Sequence, residues 1–522
     1  MSEPLSMTAA NPVEGRGASP DRSRSTALGF WSIVPLLSVA ALAVRLATMS
    51  GAPDNDDAFL FIRGVERFAV AEARPHWHGY PVYIAFAKGA TFLTGHPILG
   101  LQVVSAVASA AVAVPLGWIA LAWAQSLGVS RRRAMRAGCA AALLWLVAPA
   151  SWVTGTQIIS DTLGLLFGVG FLALCVRGVR EESARSWMAA SVLAGIMIGV
   201  RLVNVTMLAP FVWKGWSARR ERWGSAPPAV ALTAGVLAGA IPWVAALAWD
   251  DGPGFIAAGR AHLSGHFTRY GESLFTDAHP LRRPSTAFYT LAVHGLGTGT
   301  PELGWMRVLA GVGWLATVAG AVALRPWRGR MAQLLALWIV PHLLYVFVAH
   351  DVAYPRYALS AAALVTMWGG LAAASPKPFG AIGVLLAIVA TLPISARLAA
   401  EQARQPPVEY QAARYLARHG PDSIVMSPEF DLIAIYLPDF GGGAKSAIVR
   451  PDRVPRWRLR WTRQGYRVYA TSIPAQDSAR WVPVARFCRD PMIEPLIRHD
   501  LWLYSSEPAD AGGGVIECGT AR

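Results

Sequence analysis

Apolar stretches long enough to span a bilayer recur along this chain from Ala27 to Ala396, separated by short polar segments. A helix crossing the hydrocarbon core needs about 20 mostly apolar residues. The pattern places eleven such runs, near 28–48, 97–124, 137–152, 157–176, 187–200, 202–214, 229–249, 304–324, 332–349, 358–374 and 379–396. The stretch 187–214 is too long for one crossing and has basic flanks on both sides, so it reads as a hairpin of two short helices. Arg201 then sits at its tip, because an arginine at the centre of a bilayer is costly. After residue 396 the pattern changes. Tyr410 to Gly420 reads as a helix ended by glycine, and Ser423–Met426, Ser446–Val449, Tyr466–Ala470 and Leu501–Tyr504 read as short strands. A small α/β domain over 397–522 follows. No internal repeat is evident.

Composition supports this division. The chain is 54% hydrophobic with 21 tryptophans, which excludes a soluble multidomain protein and fits a polytopic α-helical membrane protein. A net charge of +15 does not point to nucleic acid, because the arginines collect in runs between apolar spans. Arg131 to Arg136, Arg177 to Arg185, Lys214 to Arg222 and Arg325 to Arg330 occupy alternate connections. By the positive-inside rule these runs face the cytoplasm, together with a disordered tail over 1–27. Eleven crossings then put the C-terminus outside. The loops 49–96 and 250–303 and the turn from His350 to Tyr357 lie on that same outer side. The first span reads as a retained anchor in the inner membrane. Cys139 and Cys175 fall in apolar runs, whereas Cys488 and Cys518 lie in the polar C-terminal region and can pair in an oxidising compartment.

The chemistry concentrates in the first outer loop. Asp54-Asn55-Asp56-Asp57 precedes a helical pattern over Phe59–Ala73, and Pro75-His76-Trp77-His78-Gly79-Tyr80-Pro81 forms a turn. Carboxylates at a helix start are ordinary caps, but four polar residues in succession exceed that need. The four could bind a divalent cation through oxygens, although a solvated acidic turn explains them as well and no metal is expected. Asp161 lies near the outer end of its span, and an ionisable residue there is a functional candidate. Arg201, Arg269, Arg282, Arg283 and Arg356 project to the same side, and a guanidinium fork matches phosphate oxygens. His78 is a candidate phosphate donor, and Arg282 a phosphate or headgroup contact. His262 and His266 stand four residues apart, without the glutamate of a zinc-protease motif.

An outer loop beginning Asp-Asp-Ala, a Gly-Tyr-Pro turn, Ser-Asp at Ser160-Asp161, Gly-x-Arg-Leu at Gly199 to Leu202 and Tyr-Pro-Arg-Tyr at Tyr354 to Tyr357 together resemble the C-type (GT-C) glycosyltransferases. Protein O-mannosyltransferases and the bacterial aminoarabinose transferases of lipid A belong to that class. The resemblance covers most of residues 28–400 and rests on order and topology. It implies transfer of a hexose or pentose, with inversion, from a polyprenyl-phosphate donor to an extracytoplasmic hydroxyl on lipid, glycan or protein. It further implies Asp56 as general base, Asp57 as the second acid of the pair, and Arg201 and Arg356 on the lipid phosphate; Asp161, His78 and Arg282 join that site on their own chemistry. A transporter or flippase for a lipid-linked saccharide is the competing reading. Such proteins usually show repeated halves around a midplane site.

Overall fold

The computed structural model describes residues 21–218, 223, 226–270, 273–419, 422–427, 432–441, 443–493 and 499–507. Each of the eleven apolar runs is helical. Seven helical spans among the described residues are long and apolar enough to cross a membrane; one of them, Pro97–Ser126, is interrupted at Val112. Four runs fall short of that length. Arg131–Val147 is broken from Pro149–Thr154, Ala184–Val200 and Leu359–Ala372 are short, and 202–217 divides into a 3-10 turn and a helix, Ala209–Ser217. The expected count of eleven full crossings is therefore not reproduced. The first helix begins earlier than expected, at Asp21; residues 1–20 lie outside the described ones. The bundle core is set by fully buried Trp145, Trp187 and Trp338 with many alanines, whose small side chains let helix backbones approach.

The helix that carries the acidic stretch spans Asp56–Glu66. Asn55 caps it, its extended backbone aiming the side-chain oxygen at the Ala58 N–H, 2.9 Å away. It stops well before Ala73 because the next donors are satisfied elsewhere. The N–H groups of Val70 and Ala71 bond the carboxylate of Asp251, at 2.8 and 3.0 Å. That contact ties the first loop to the segment that opens the Pro253–Gly265 helix.

The C-terminal region carries a five-stranded mixed sheet, β1 Ser423–Ser427, β2 Lys445–Ile448, β3 Arg467–Ala470, β4 Val482–Cys488 and β5 Asp500–Ser505. The order is β2-β1-β3-β5-β4, with β1 parallel to β2 and β3 and β5 antiparallel to β3 and β4. The alternation of Val482–Cys488 is blurred by Pro483, and this strand alone escapes the sequence pattern. Cys488 is disulfide-bonded, and Cys518 lies outside the described residues. The sheet domain is not separate from the first loop. Phe59 enters its core beside Val408, Ala412 and Tyr436, the Tyr436 hydroxyl donates to the Pro53 carbonyl at 3.0 Å, and Arg489 pairs with Asp54 in full burial.

Candidate active site

Four elements distant in sequence meet at one cavity of about 360 Å³. Asp57 comes from the first turn of the Asp56–Glu66 helix and Asp161 from the first residue of the Asp161–Arg180 helix. Arg201 occupies the extended break after Ala184–Val200. Arg356 lies in the 3-10 turn Pro355–Ala358, which follows the helix ending at Ala349. Helix ends put charged groups at the edge of the apolar bundle, where exposure to a polar cavity replaces the cost of burial in lipid. Gly164, one turn after Asp161, makes room for Arg201: a Cβ there would stand 3.3 Å from Arg201 Cδ and 3.1 Å from Asn204 Nδ2.

The charges are paired across the cavity. Arg356 Nη1 donates to Asp57 Oδ2 at 2.8 Å. Arg201 Nη1 donates to Asp161 Oδ2 and, at 3.2 Å, to Ser160 Oγ. The Arg356 guanidinium also lies over the rings of Tyr354 and Tyr357, 4.9 and 5.1 Å from their centroids, contacts favourable to a cation. Burial by itself raises the Asp57 carboxyl, but Arg356 and His76 outweigh it and hold the group at about 2. Burial likewise opposes the Arg356 charge, and the neighbouring Tyr357, Asp57 and Asp161 reverse the effect, raising it well above its ordinary value. The cavity therefore holds two carboxylates, each paired with one guanidinium.

Imidazoles complete the wall. His76 Nδ1 stands 3.8 Å from Asp57 Oδ1, and its Nε2 meets the Tyr80 hydroxyl at 2.8 Å. His262 stacks on His76, and His266 on His262, with centroids 5.6 and 6.0 Å apart. His350 stacks on Tyr357 at 4.4 Å. Gly259 lets the Pro253–Gly265 helix come this close, since a Cβ there would lie 2.6 Å from Trp77 Nε1.

Of the residues expected from sequence, Asp57, Asp161, Arg201 and Arg356 line this cavity. Asp56 opens the same helix as Asp57, and its side chain lies outside the described residues. His78 does not line the polar cavity. Its Nε2 accepts the Leu202 N–H at 2.9 Å, and it faces an adjoining apolar pocket of about 430 Å³ with Trp77, Trp243 and Phe255. That bond leaves Nε2 no proton to offer a phosphate. Arg282 is exposed and away from the cavity, while Arg283 is buried and bonded to Asp277 and to the Phe347 and His350 carbonyls. The acidic run divides as well: Asp54 points into the C-terminal domain, Asn55 caps and Asp57 faces the cavity. Among the described residues no group of three or more His, Cys, Asp or Glu is placed to hold a metal ion. Sequence reading singled out His76, His262 and His266 without assigning them to the site; the i,i+4 spacing of the last two was the available signal.

No protein-family model matches the sequence, and no curated protein matches it. Solved structures do match. ArnT from Cupriavidus metallidurans bound to undecaprenyl phosphate aligns over 93% of this chain and 99% of that one, with TM-score 0.52 and 15% identity. The apo state of the same protein aligns over the same shares with TM-score 0.50 and 14% identity. At this identity the likeness establishes the fold alone, a bundle of apolar helices followed by a small C-terminal sheet domain.

Proposed function

We propose that this chain is a polyprenyl-phosphate-dependent glycosyltransferase acting on the outer side of the membrane, with its N-terminus cytoplasmic and its C-terminal domain, 397–522, extracytoplasmic. The observation that carries the reading is the shared cavity of Asp57, Asp161, Arg201 and Arg356. A base meets two anion-binding forks there, within a fold whose structural neighbour binds undecaprenyl phosphate. Apolar pockets adjoin the cavity on two sides, one past His78 and Leu202 and one past Tyr357 and Ala358, which suits a lipid-linked donor.

In this mechanism the acceptor hydroxyl gives its proton to Asp57 as its oxygen attacks the anomeric carbon. The bond from that carbon to the phosphate oxygen breaks on the opposite face, and its electron pair leaves with the phosphate. Configuration inverts. Arg201 and Arg356 receive the new charge, an interaction stronger in the transition state than in the ground state and so one that accelerates the step. Arg356 now holds Asp57; a phosphate that draws this arginine toward itself loosens the pair and returns basicity to the carboxylate. Asp161 fixes the orientation of Arg201. Asp56 remains a proposed contributor at the same helix start.

The test is turnover of a synthetic polyprenyl-phosphate sugar by the full chain in proteoliposomes, with Asp57→Asn and Asp56→Asn alongside. Loss of product in Asp57→Asn with retained folding supports the assignment. Full activity in Asp57→Asn together with loss in Asp56→Asn moves the base by one residue, and full activity in both overturns the mechanism.

A further inference from the structure

Arg201 and Arg356 both sit on irregular backbone. Arg201 is the extended residue between Ala184–Val200 and the 3-10 run Leu202–Leu208, and Arg356 belongs to the 3-10 turn that opens Leu359–Ala372. Backbone of this kind has poorer internal hydrogen bonding than an α-helix, so its position depends on ties to its neighbours. The helix Arg330–Ala349 supplies one side chain that reaches both segments. His342 Nδ1 meets Thr206 Oγ1 at 3.0 Å, on the Arg201 side, and its Nε2 meets Ser360 Oγ at 3.2 Å, on the Arg356 side. The partners fix the proton positions. Thr206 Oγ1 donates its one hydrogen to the Val203 carbonyl at 2.7 Å, so it accepts from His342 Nδ1–H, and Nε2 of the neutral ring accepts the Ser360 hydroxyl.

We propose that His342 is a positioning residue, a strut that fixes the spacing of Arg201 and Arg356 for the phosphate of the donor; this rests on the transferase reading above. The ring is buried, 6% exposed, within an apolar span, where an ionisable side chain is costly and usually serves a site. It does not line the large polar cavity. With Asp161, Arg201, Arg356 and Ser360 it lines a second cavity of about 30 Å³, room for roughly one or two waters and not for a lipid phosphate. His342 therefore acts through the arginines and not on the reacting atoms. In the resting site each arginine is aimed by a carboxylate, Arg201 by Asp161 and Arg356 by Asp57. A phosphate draws on the same guanidiniums and loosens those pairs, whereas the bonds of His342 lie on Thr206 and Ser360 and are left intact. The spacing of the two arginine backbones then holds while the leaving charge develops, where a misplacement of about 1 Å can cost about 10²-fold.

The experiment measures the Kd of a synthetic polyprenyl phosphate for the full chain in proteoliposomes, with the matching polyprenol, which lacks the phosphate, as second probe. His342→Ala is expected to weaken polyprenyl-phosphate binding about tenfold, the loss of one to two hydrogen bonds, and to change polyprenol binding less than about twofold. Thr206→Val and Ser360→Ala each cut the strut at one end and should weaken phosphate binding about fivefold. Combining either with His342→Ala should add little, because all three remove the same tie. Wild-type affinity in folded His342→Ala, a parallel loss of both probes, or fully additive losses in the double variants overturns the strut. If His342→Ala does not fold, the two milder variants decide, and phosphate binding within about twofold of wild type in both overturns it. A wild type that binds no polyprenyl phosphate defeats the transferase reading itself, and this inference falls with it.

Discussion

Asp54 and Asp57 stand three residues apart, each is bonded to one arginine, and the two pairs do opposite work. The Asp54–Arg489 pair is sealed, with side chains 0% and 2% exposed, at the junction between the first loop and the C-terminal domain. The Asp57–Arg356 pair is 26% and 18% exposed and opens onto the cavity. The carboxyls respond in opposite senses. Burial wins at Asp54 and raises it despite Arg489, whereas Arg356 and His76 win at Asp57 and lower it. An ion pair by itself therefore says little about role; solvent access and the number of opposing charges around each acid decide. The sealed pair also leaves Asp54 Oδ2 and two Arg489 nitrogens without partners among the described residues, which suits a joint that fixes position more than one that adds stability.

Substitution of the open acid should have the largest effect. Asp57→Asn is expected to cut transfer by about 10²–10⁴-fold, the usual contribution of a positioned base, with a smaller fall in thermal midpoint than loss of the sealed pair. Measured rates within tenfold of wild type would dissolve the contrast. The sealed joint should behave in the reverse manner. Arg489→Ala leaves a buried carboxylate unpaired and should cost about 3–5 kcal/mol of stability, read as a fall in thermal midpoint. The double variant Asp54→Leu with Arg489→Met should recover most of that loss, since apolar replacement of a buried pair is often neutral or stabilising. No apolar replacement of Asp57 and Arg356 should recover transfer.

Acidification sharpens the same comparison. The folded-state value of Asp57 lies below its ordinary value of about 3.9, so its contribution to stability is present above that value and fades as pH falls toward 2. Asp54 is shifted upward, so its protonation favours the folded state as pH falls. Melting curves between pH 6 and 3 should show Asp57→Asn losing less midpoint than wild type below about pH 4, and Asp54→Asn losing more. The smallest expected effect is at Arg282, exposed and away from the cavity, where substitution by alanine should leave the transfer rate within about twofold.

What the sequence determined by itself follows from local physics. Apolar length marked most helices of the bundle, because a bilayer-facing surface must be apolar over each turn; the helix Pro81–Thr94, only 14 residues long, lay inside the stretch read as the loop 49–96. Short strand-like runs marked four of the five C-terminal strands. Asp57, Asp161, Arg201 and Arg356 were legible as candidates because charge in an apolar chain is conspicuous wherever it lies. Only the tertiary structure decided which charges meet. Nothing along the chain separates Asp54, bound for Arg489 435 residues away, from Asp57, bound for Arg356 299 residues away. Likewise His76 and His78 look equivalent in the turn, yet one faces Asp57 and the other accepts the Leu202 N–H. The imidazole wall was hidden for the same reason. Stacking of rings from the first loop and the Pro253–Gly265 helix depends on Asp251 tying those segments together and on Gly259 admitting Trp77, and long-range contacts of this kind leave no periodic signal in sequence.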